Sequence, residues 1–370
     1  MIFLDILFYA FVVVVLIQVF YYLIIFSRFA FVKPLNTTPG DQGISVIVCA
    51  KNEAENLERF LPLILEQDYP NFEVVLINDA SYDDTLEVIE AFAEKDSRVK
   101  IVNVKNTEAF WANKKYALTL GIKAAKNEQL LLTDADCKPV SKHWISEMYA
   151  HSKEGKSIIL GYGAHIPVKN SLLNKLIRFE TLLTAIQYFS YAKSGIPYMG
   201  VGRNLAYTKD DFFSVNGFIN HIQVRSGDDD LFINEVANKN NTAICFSANS
   251  FTMTPAKSSF KSWFRQKKRH ISTASLYKSK HKTLLGLFYL SQFLFWTLSI
   301  LLLGLTFQWE IVIGLIVLRF LLQYLVFGKS AKKLHETDLL CLLPLLECFL
   351  IVMQLTIFIS NRIAKPNHWK

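Results

Sequence analysis

Ile44-Ser45-Val46-Ile47-Val48-Cys49 is a short apolar run rich in β-branched residues, the pattern of a buried parallel strand. Asn56–Glu66 follows, with Leu57, Phe60, Leu61, Ile64 and Leu65 at helical spacing. The alternation then repeats. Phe72–Ile77 reads as a strand, Thr85–Phe92 as a helix, Val99–Val104 as a strand, Lys115–Ala125 as a helix and Gln129–Leu132 as a strand. Strands alternating with helices predict an α/β fold, a doubly wound and mostly parallel sheet. Ligands of such sheets sit beyond the carboxyl ends of the strands, and the acidic residues of this segment fall there.

Outward from this segment the composition changes. The chain has 370 residues, a net charge of +8, 51% hydrophobic and 14% aromatic residues, with the apolar excess gathered at the two ends. Ile2–Phe26 is almost wholly apolar and exceeds the roughly 20 residues a membrane span needs. It lacks a basic leader and a small-residue cleavage site, so residues 1–32 read as an anchor. Arg28 and Lys33 place the next segment in the cytoplasm. Leu284–Leu305, Ile311–Phe327 and Leu339–Ser360 give about three further spans within 283–370, the first two joined by the short turn Thr306–Glu310. The loop Gly328–Asp338, with Lys329, Lys332 and Lys333, belongs on the cytoplasmic side. Four spans put both termini outside, yet Arg362, Lys365 and Lys370 favour the inside, and Pro344 marks a re-entrant or tilted last helix as the alternative. Arg319 and Glu347 lie within the spans and read as a structural ion pair in preference to part of an acceptor or product path.

Five cysteines, an odd count with none in a C-x-x-C pair, suggest neither a disulfide framework nor a zinc site and fit a reducing compartment. Lys257 to Lys282 holds nine Lys/Arg and no acid, interleaved with Phe260, Trp263 and Phe264. Next to a span, this reads as an amphipathic helix on an anionic membrane surface. No zinc finger or RNP-like motif accompanies it, so no nucleic-acid partner is expected. Leu172–Phe189 is broadly apolar with Lys175, Arg178 and Glu180 on a polar side, as either an interface helix or a core helix.

Three acidic clusters follow strand ends or open a helix. Asn78-Asp79-Ala80-Ser81-Tyr82-Asp83-Asp84-Thr85 supplies a helix cap at Asp84 or Thr85, whereas Asp79 comes too early to cap and sits where a ligand would lie. Thr133-Asp134-Ala135-Asp136 places alternating carboxylates at a strand end, a hard oxygen set suited to Mg²⁺ or Mn²⁺. Gly227-Asp228-Asp229-Asp230 brings together three carboxylates that repel, either as a solvated cap for the helix Leu231–Ala237 or as a general base with a raised pKa.

Taken in order, these motifs resemble family 2 glycosyltransferases of the GT-A fold, over about Ile44 to Tyr277. The resemblance implies a GT-A catalytic domain over 33–256 and a basic interfacial helix over 257–282. It implies that Ala50, Glu53 and Asp79 meet the nucleotide, with Lys114 near it. Asp134 and Asp136 match the family's D-x-D, Asp136 as the direct metal ligand, and Asp229 matches the catalytic base. Gly200-Val201-Gly202-Arg203-Asn204-Leu205-Ala206-Tyr207 resembles the acceptor-side segment, so Gly202, Asn204 and Asp228 are expected there. The Q-x-x-R-W motif of membrane-bound members reads Gln266-Lys267-Lys268-Arg269-His270, with His270 in place of the Trp. Gln266 and Arg269 are then expected at the donor, Arg269 with a catalytic role, and His270 on the acceptor side.

The resemblance further implies an inverting transfer from a nucleotide sugar, a UDP-sugar first, to a lipid-linked or glycan acceptor, assisted by Mg²⁺ or Mn²⁺. It implies a multi-pass protein of a bacterial inner membrane, in contact with membrane lipids, its catalytic domain in the cytoplasm. The alternatives are a processive polysaccharide synthase and a non-catalytic membrane scaffold or sugar-binding subunit. The loss of the Trp platform at His270 favours addition of one or few sugars, unless Trp263 supplies that platform.

Overall fold

A computed structural model describes residues 2–34, 40–105, 114–152, 155–224 and 226–363. Lys365 and Lys370 of the basic tail, and the side chain of Arg362, lie outside the described residues. The described chain divides into two compact units, one of Pro34–Asn170 and Gly195–Ser258, the other of the residues up to Lys33, Ser171–Ser194 and those from Ser259 on.

The first unit is built on ten strands: β1 Ile44–Ala50, β2 Phe72–Asp79, β3 Val99–Val104, β4 Gln129–Asp134, β5 Lys138–Pro139, β6 Ile158–Leu160, β7 Gly163–His165, β8 Leu205–Thr208, β9 Thr242–Ile244 and β10 Thr252–Thr254. Seven form one sheet in the order β3-β2-β1-β4-β8-β6-β9. β3, β2, β1 and β4 are mutually parallel, as the alternating pattern predicts, and β8 runs antiparallel to both β4 and β6. Helices Ala54–Leu65, Thr85–Lys95 and Lys114–Ala124 connect the parallel strands. Burial from both sides explains the unbroken apolar strands: Val46, Val48, Val74 and Leu76 pack with Leu57, Leu61, Ile64 and Trp144 in one core.

Register places the site. Ala50 pairs with Asn78 and Cys49 with Asp134, so β1, β2 and β4 end at one level. β2 and β4 reach Asp79 and Asp134, two residues beyond the sequence expectation, because Asp79 pairs with Val104 of β3 and Asp134 with Cys49 of β1. The acids are therefore the last residues of strands rather than the first of loops. The chain leaves β1 toward β2 on one side and meets β4 on the other, a strand-order switch of the kind that opens a crevice. A second sheet, β5-β10-β7, has strands of two or three residues, too short for periodicity to reveal.

Among the described residues, the second unit holds four helical stretches long and apolar enough to cross a membrane: Ile2–Ala30, Ser279–Gly304, Trp309–Leu334 and Thr337–Asn361. The first contains a π-helical turn, Tyr21–Phe26. Thr306 and Gln308 take positive φ in the turn that reverses the second into the third. Pro344 is the second residue of the helix Leu343–Ile363, after a 3₁₀ stretch Thr337–Leu342. A proline is tolerated there because the first-turn N–H has no intrahelical partner.

Arg319 and Glu347 form a buried ion pair, as the structural reading expects. The Arg319 Nε also donates to Gln18 Oε1 at 2.6 Å, and Glu347 Oε1 accepts from Gln292 at 2.8 Å and Gln323 at 3.1 Å. Helix Leu172–Lys193 belongs to this unit, and of its expected polar side Lys175 and Glu180 are half-buried and Arg178 is not solvated. Arg178 is buried, with its Nε 2.8 Å from Glu336 Oε2 and its terminal nitrogens 2.9 and 2.6 Å from the Asp338 carboxylate. Glu180 pairs with Lys267.

Candidate active site

The loops that close the carboxyl ends of β1 and β2 are laced to each other. Asn52 takes φ 55° and Ala80 φ 49°. Asn tolerates that conformation, whereas Ala does so at a cost of about 1–2 kcal/mol, so the turn after Asp79 is held by its surroundings. The Asn52 N–H donates to Ser81 Oγ at 3.0 Å, and the Tyr82 N–H donates to Asn52 Oδ1 at 2.9 Å. The Glu53 N–H donates to Thr85 Oγ1 at 2.9 Å. Asp84 stands at the N-cap position of the following helix, as expected, but it is the Asp83 side chain that accepts from the Thr85 N–H at 3.2 Å and from its hydroxyl. A side chain two residues ahead reaches the free N–H better than Asp84, which makes no side-chain cap bond. Ala50 is buried at the end of β1, and Asp79 is buried at the end of β2 with Lys51 Nζ 3.7 Å away.

At the end of β4 the ligand atoms of Asp134, Asp136 and Cys137 lie within 4.8 Å of one another. Burial raises the Asp136 pKa, and the neighbouring charges of Asp134 and Glu53 raise it further, against the pull of Arg203 and the Cys137 thiol. A carboxylate pair whose ionised form is disfavoured by its own neighbours is stabilised by an added cation. Two carboxylates fit Mg²⁺ or Mn²⁺. The Cys137 thiol, 3.5 Å from Asp136 Oδ1, donates to the carboxylate.

Lys114, the first residue of its helix, bridges two clusters: its Nζ is 2.7 Å from Asp134 Oδ1 and 3.1 Å from Asp228 Oδ2. Burial opposes its charge, but Asp134 and Asp228 outweigh burial and hold it protonated. Asp228 is thereby tied to Lys114, which the resemblance expects near the nucleotide, whereas it expects Asp228 itself on the acceptor side. Gly227 takes φ 91°, and a Cβ there would lie 2.5 Å from the Leu231 side chain. The acidic run thus begins at a turn only glycine fits.

Asp229 caps the helix Asp230–Val236, as the capping expectation for this cluster has it, but it is partly buried rather than solvated. Its Oδ1 accepts from the Asp230 N–H and its Oδ2 from the Gly202 N–H, each at 2.7 Å. Burial and the charges of Asp228 and Asp230 push its pKa up to about 7, although the Gly202 N–H and Lys114 oppose the shift. Gly202 reaches it because β8 runs antiparallel to β4, pairing Leu205 with Leu132 and setting residues 200–204 beside the end of β4. Lys114, Asp134, Gly202, Asp228 and Asp229 line one cavity with Cys49 and Thr133.

Asn204 does not face it. Its side chain is buried, accepting from Trp144 Nε1 at 3.0 Å and donating to the carbonyls of Tyr162 at 3.0 Å and Ser250 at 2.7 Å. Its amide fixes the segment rather than an acceptor, because both of its ends are engaged inside the protein. Two residues escape sequence reasoning. Arg203 acts electrostatically on Asp136 and lies 3.3 Å from His165 Nε2. Lys115 is buried, with its Nζ 2.7 Å from the His221 carbonyl and 2.9 Å from that of Val224, which pins the loop ahead of the acidic run.

Gln266, Arg269 and His270 lie on the basic helix Phe260–Thr273 of the other unit. Spacing of three and four residues sets them on one face. Trp263 is fully buried on that helix, stacked on Phe349 at 6.4 Å and 12°, so its ring is not an open platform.

Residues 45–212 match the family model for glycosyl transferase family 2. A cholesterol galactosyltransferase of Borreliella burgdorferi is 32% identical over 117 residues, 32% of this chain and 31% of that protein. A poly-beta-1,6-N-acetyl-D-glucosamine synthase of Staphylococcus epidermidis is 36% identical over 95 residues, 26% of this chain and 22% of that one. The chain spans less than half the length of the curated relatives it matches. The mannosyltransferase PcManGT from Pyrobaculum calidifontis, solved with GDP-Man and Mn²⁺, shares the fold, with a TM-score of 0.58 at 18% identity over 90% of this chain and 98% of that one.

Proposed function

We propose that this chain, whose residues 45–212 match glycosyl transferase family 2, moves one sugar from a nucleotide-sugar donor to a hydroxyl of a membrane-associated acceptor, inverting the anomeric carbon. One observation carries the reading most. Asp134, Lys114 and Asp229 line a single cavity at the carboxyl ends of β1 and β4, with Asp229 raised to about 7. A carboxyl with a pKa near the working pH is suited to general-base work.

Asp79, Glu53 and the end of β1 at Ala50 hold the nucleotide in this reading. Asp136, with Asp134 beside it, would hold a divalent cation, which when bound offsets the charge of the donor diphosphate. Asp229 takes the proton of the acceptor hydroxyl as that oxygen bonds to the anomeric carbon. The bond from that carbon to the diphosphate oxygen breaks, and its electron pair leaves with the nucleoside diphosphate. Lys114 keeps positive charge beside Asp134. Arg269 adds a guanidinium suited to two phosphate oxygens at once, with Gln266 beside it on the helix. His270 contacts the acceptor in place of an indole.

A UDP-sugar is the first donor to try. The cytoplasmic face of a bacterial inner membrane is the location that the basic flanks Arg28 and Lys33 support. The test is nucleotide release from a sugar-nucleotide panel with Mg²⁺ or Mn²⁺, in the presence of membrane lipid extract. Release dependent on one donor and on acceptor lipid supports the reading. No turnover with any donor makes the chain a scaffold.

A further inference from the structure

We propose that the last apolar helix, Leu343–Ile363, does not cross the membrane. It re-enters the leaflet on the side where the chain between Lys33 and Ser279 lies, and with the basic helix Phe260–Thr273 it forms one lipid-facing platform. The inference rests on the membrane part of the reading above and not on the reaction.

Three observations support this. The first is what the bundle is made of. One apolar cluster, of Phe11, Val14, Val15, Phe295, Leu298, Leu302 and Val312, is drawn from the first three apolar helices, whereas the last helix buries Leu343, Leu346, Leu350, Met353 and Ile357 outside that cluster. The last helix reaches that bundle through its start, where Glu347 meets Arg319 and Gln292.

The second is direction. Gln292 donates to Glu347 at 2.8 Å, and the Tyr289 hydroxyl donates to the Ile351 carbonyl at 3.1 Å. Moving forward from 347 to 351 on the last helix therefore moves backward from 292 to 289 on its neighbour. That neighbour begins at Ser279, next to the basic helix. The last helix thus starts at depth and runs out toward the end where Ser279 lies. The segment before it starts from the same end. Lys333 Nζ donates to the carbonyls of Phe29 at 2.8 Å and Val32 at 2.6 Å, so Leu334 ends at the level where the first helix ends.

The third is the company the helix keeps. Phe349 stacks on Trp263, Ser360 Oγ accepts from Lys268 Nζ at 2.9 Å, and the Asn361 amide donates to the Lys268 carbonyl at 3.1 Å. These contacts run from 349 to 361, a rise of about 18 Å. The helix they touch carries Lys261, Arg265, Lys267, Lys268 and Arg269. A spanning last helix would draw those cations well into hydrocarbon, where charge is costly unless paired. Rising from depth to the leaflet surface, the re-entrant helix keeps those cations at the headgroup level and removes the conflict. Leu345, Val352 and Phe358 are exposed and enter the acyl chains, while the exposed Lys261 and Arg265 meet anionic headgroups.

The test uses the full chain with an epitope placed after Lys370, in sealed membrane vesicles of known orientation treated with protease from outside. The expected result is that the epitope and the loop at the exposed Tyr82 are cut in the same vesicles and spared together in the opposite ones. An epitope spared where the Tyr82 loop is cut restores a fourth span and overturns the proposal. Spin labels on Leu345→Cys, Val352→Cys and Phe358→Cys give an independent readout of depth in vesicles of anionic lipid. Depth is expected to fall steadily from 345 to 358. A maximum at 352 with both flanks shallow contradicts the re-entrant helix. Neither measurement uses turnover, so failure of the transfer reading leaves both interpretable.

Discussion

Replacing Asp229 with Asn removes the proposed base while keeping its size, and the structure sets what else the change does. Both carboxylate oxygens accept backbone N–H groups, from Asp230 and Gly202, at 2.7 Å. An asparagine offers one acceptor oxygen, so one of those donors faces an NH₂ group and loses its partner. An unsatisfied buried donor costs about 1–3 kcal/mol, so the variant melts lower than the parent at acidic pH. The carboxyl has a pKa raised to about 7, above that of an unfolded aspartate, so the native state binds the extra proton between those values. Stability contributed by this group is therefore lost as pH rises through that window. Asn carries no such penalty, and the gap in melting temperature between parent and variant narrows from pH 5 to pH 8. Turnover separates from stability. Loss of a general base costs about 10²–10⁴ in rate, and the rise of kcat/KM toward a plateau near pH 7 disappears with it. The assay is nucleotide release against pH for both proteins, at a temperature where both are folded. A variant that keeps the acid limb, or loses less than about tenfold at pH 8, assigns the base elsewhere. Asp228→Asn is the control that locates it.

Further outcomes follow from the same geometry. Asp136→Ala abolishes turnover with little change in melting temperature, and EDTA does the same to the parent until Mg²⁺ or Mn²⁺ is restored; undiminished activity in excess EDTA contradicts the metal assignment. Lys114→Met removes a cation that lowers the Asp229 pKa, so the acid limb moves to higher pH and donor KM rises; an unmoved limb separates the lysine from the base. Glu347→Leu leaves Arg319 buried without its carboxylate and destabilises the helical unit by about 3–5 kcal/mol, measured by thermal unfolding in detergent, whereas the double change with Arg319→Met recovers most of it. His270→Trp leaves single addition in place if the acceptor, rather than the ring, limits product length; longer products show that the ring sets it.

Much of this was legible in the sequence because parallel strands buried on both faces must be unbroken apolar runs. Ile44–Ala50 shows this directly, whereas Val99–Val104, the edge strand, carries Lys100 and Asn103 and is largely exposed. The strand ends were less legible, since Asp79 and Asp134 are polar residues kept extended by pairing with β3 and β1 respectively. Side-chain direction was illegible where neighbours in space are far apart in sequence. Lys115 follows Lys114 and resembles a helix-surface lysine, yet its partners are the carbonyls of His221 and Val224. Asn204 sits between residues that face the cavity or Asp136 but fills its hydrogen bonds inside the protein. Arg178 has a polar character that suggests solvent, and only tertiary structure supplies Glu336 and Asp338.

The central claim is transfer of one sugar to a membrane-associated acceptor, and product mass tests it most directly. The purified full chain is incubated in lipid vesicles with acceptor lipid extract, Mn²⁺ and the donor that supports nucleotide release, and the organic-phase products are read by mass spectrometry. The account predicts an acceptor species heavier by one sugar residue, absent with Asp136→Ala and with Asp229→Asn. A polymer ladder, or free sugar released in step with the nucleotide and no glycosylated lipid, contradicts it.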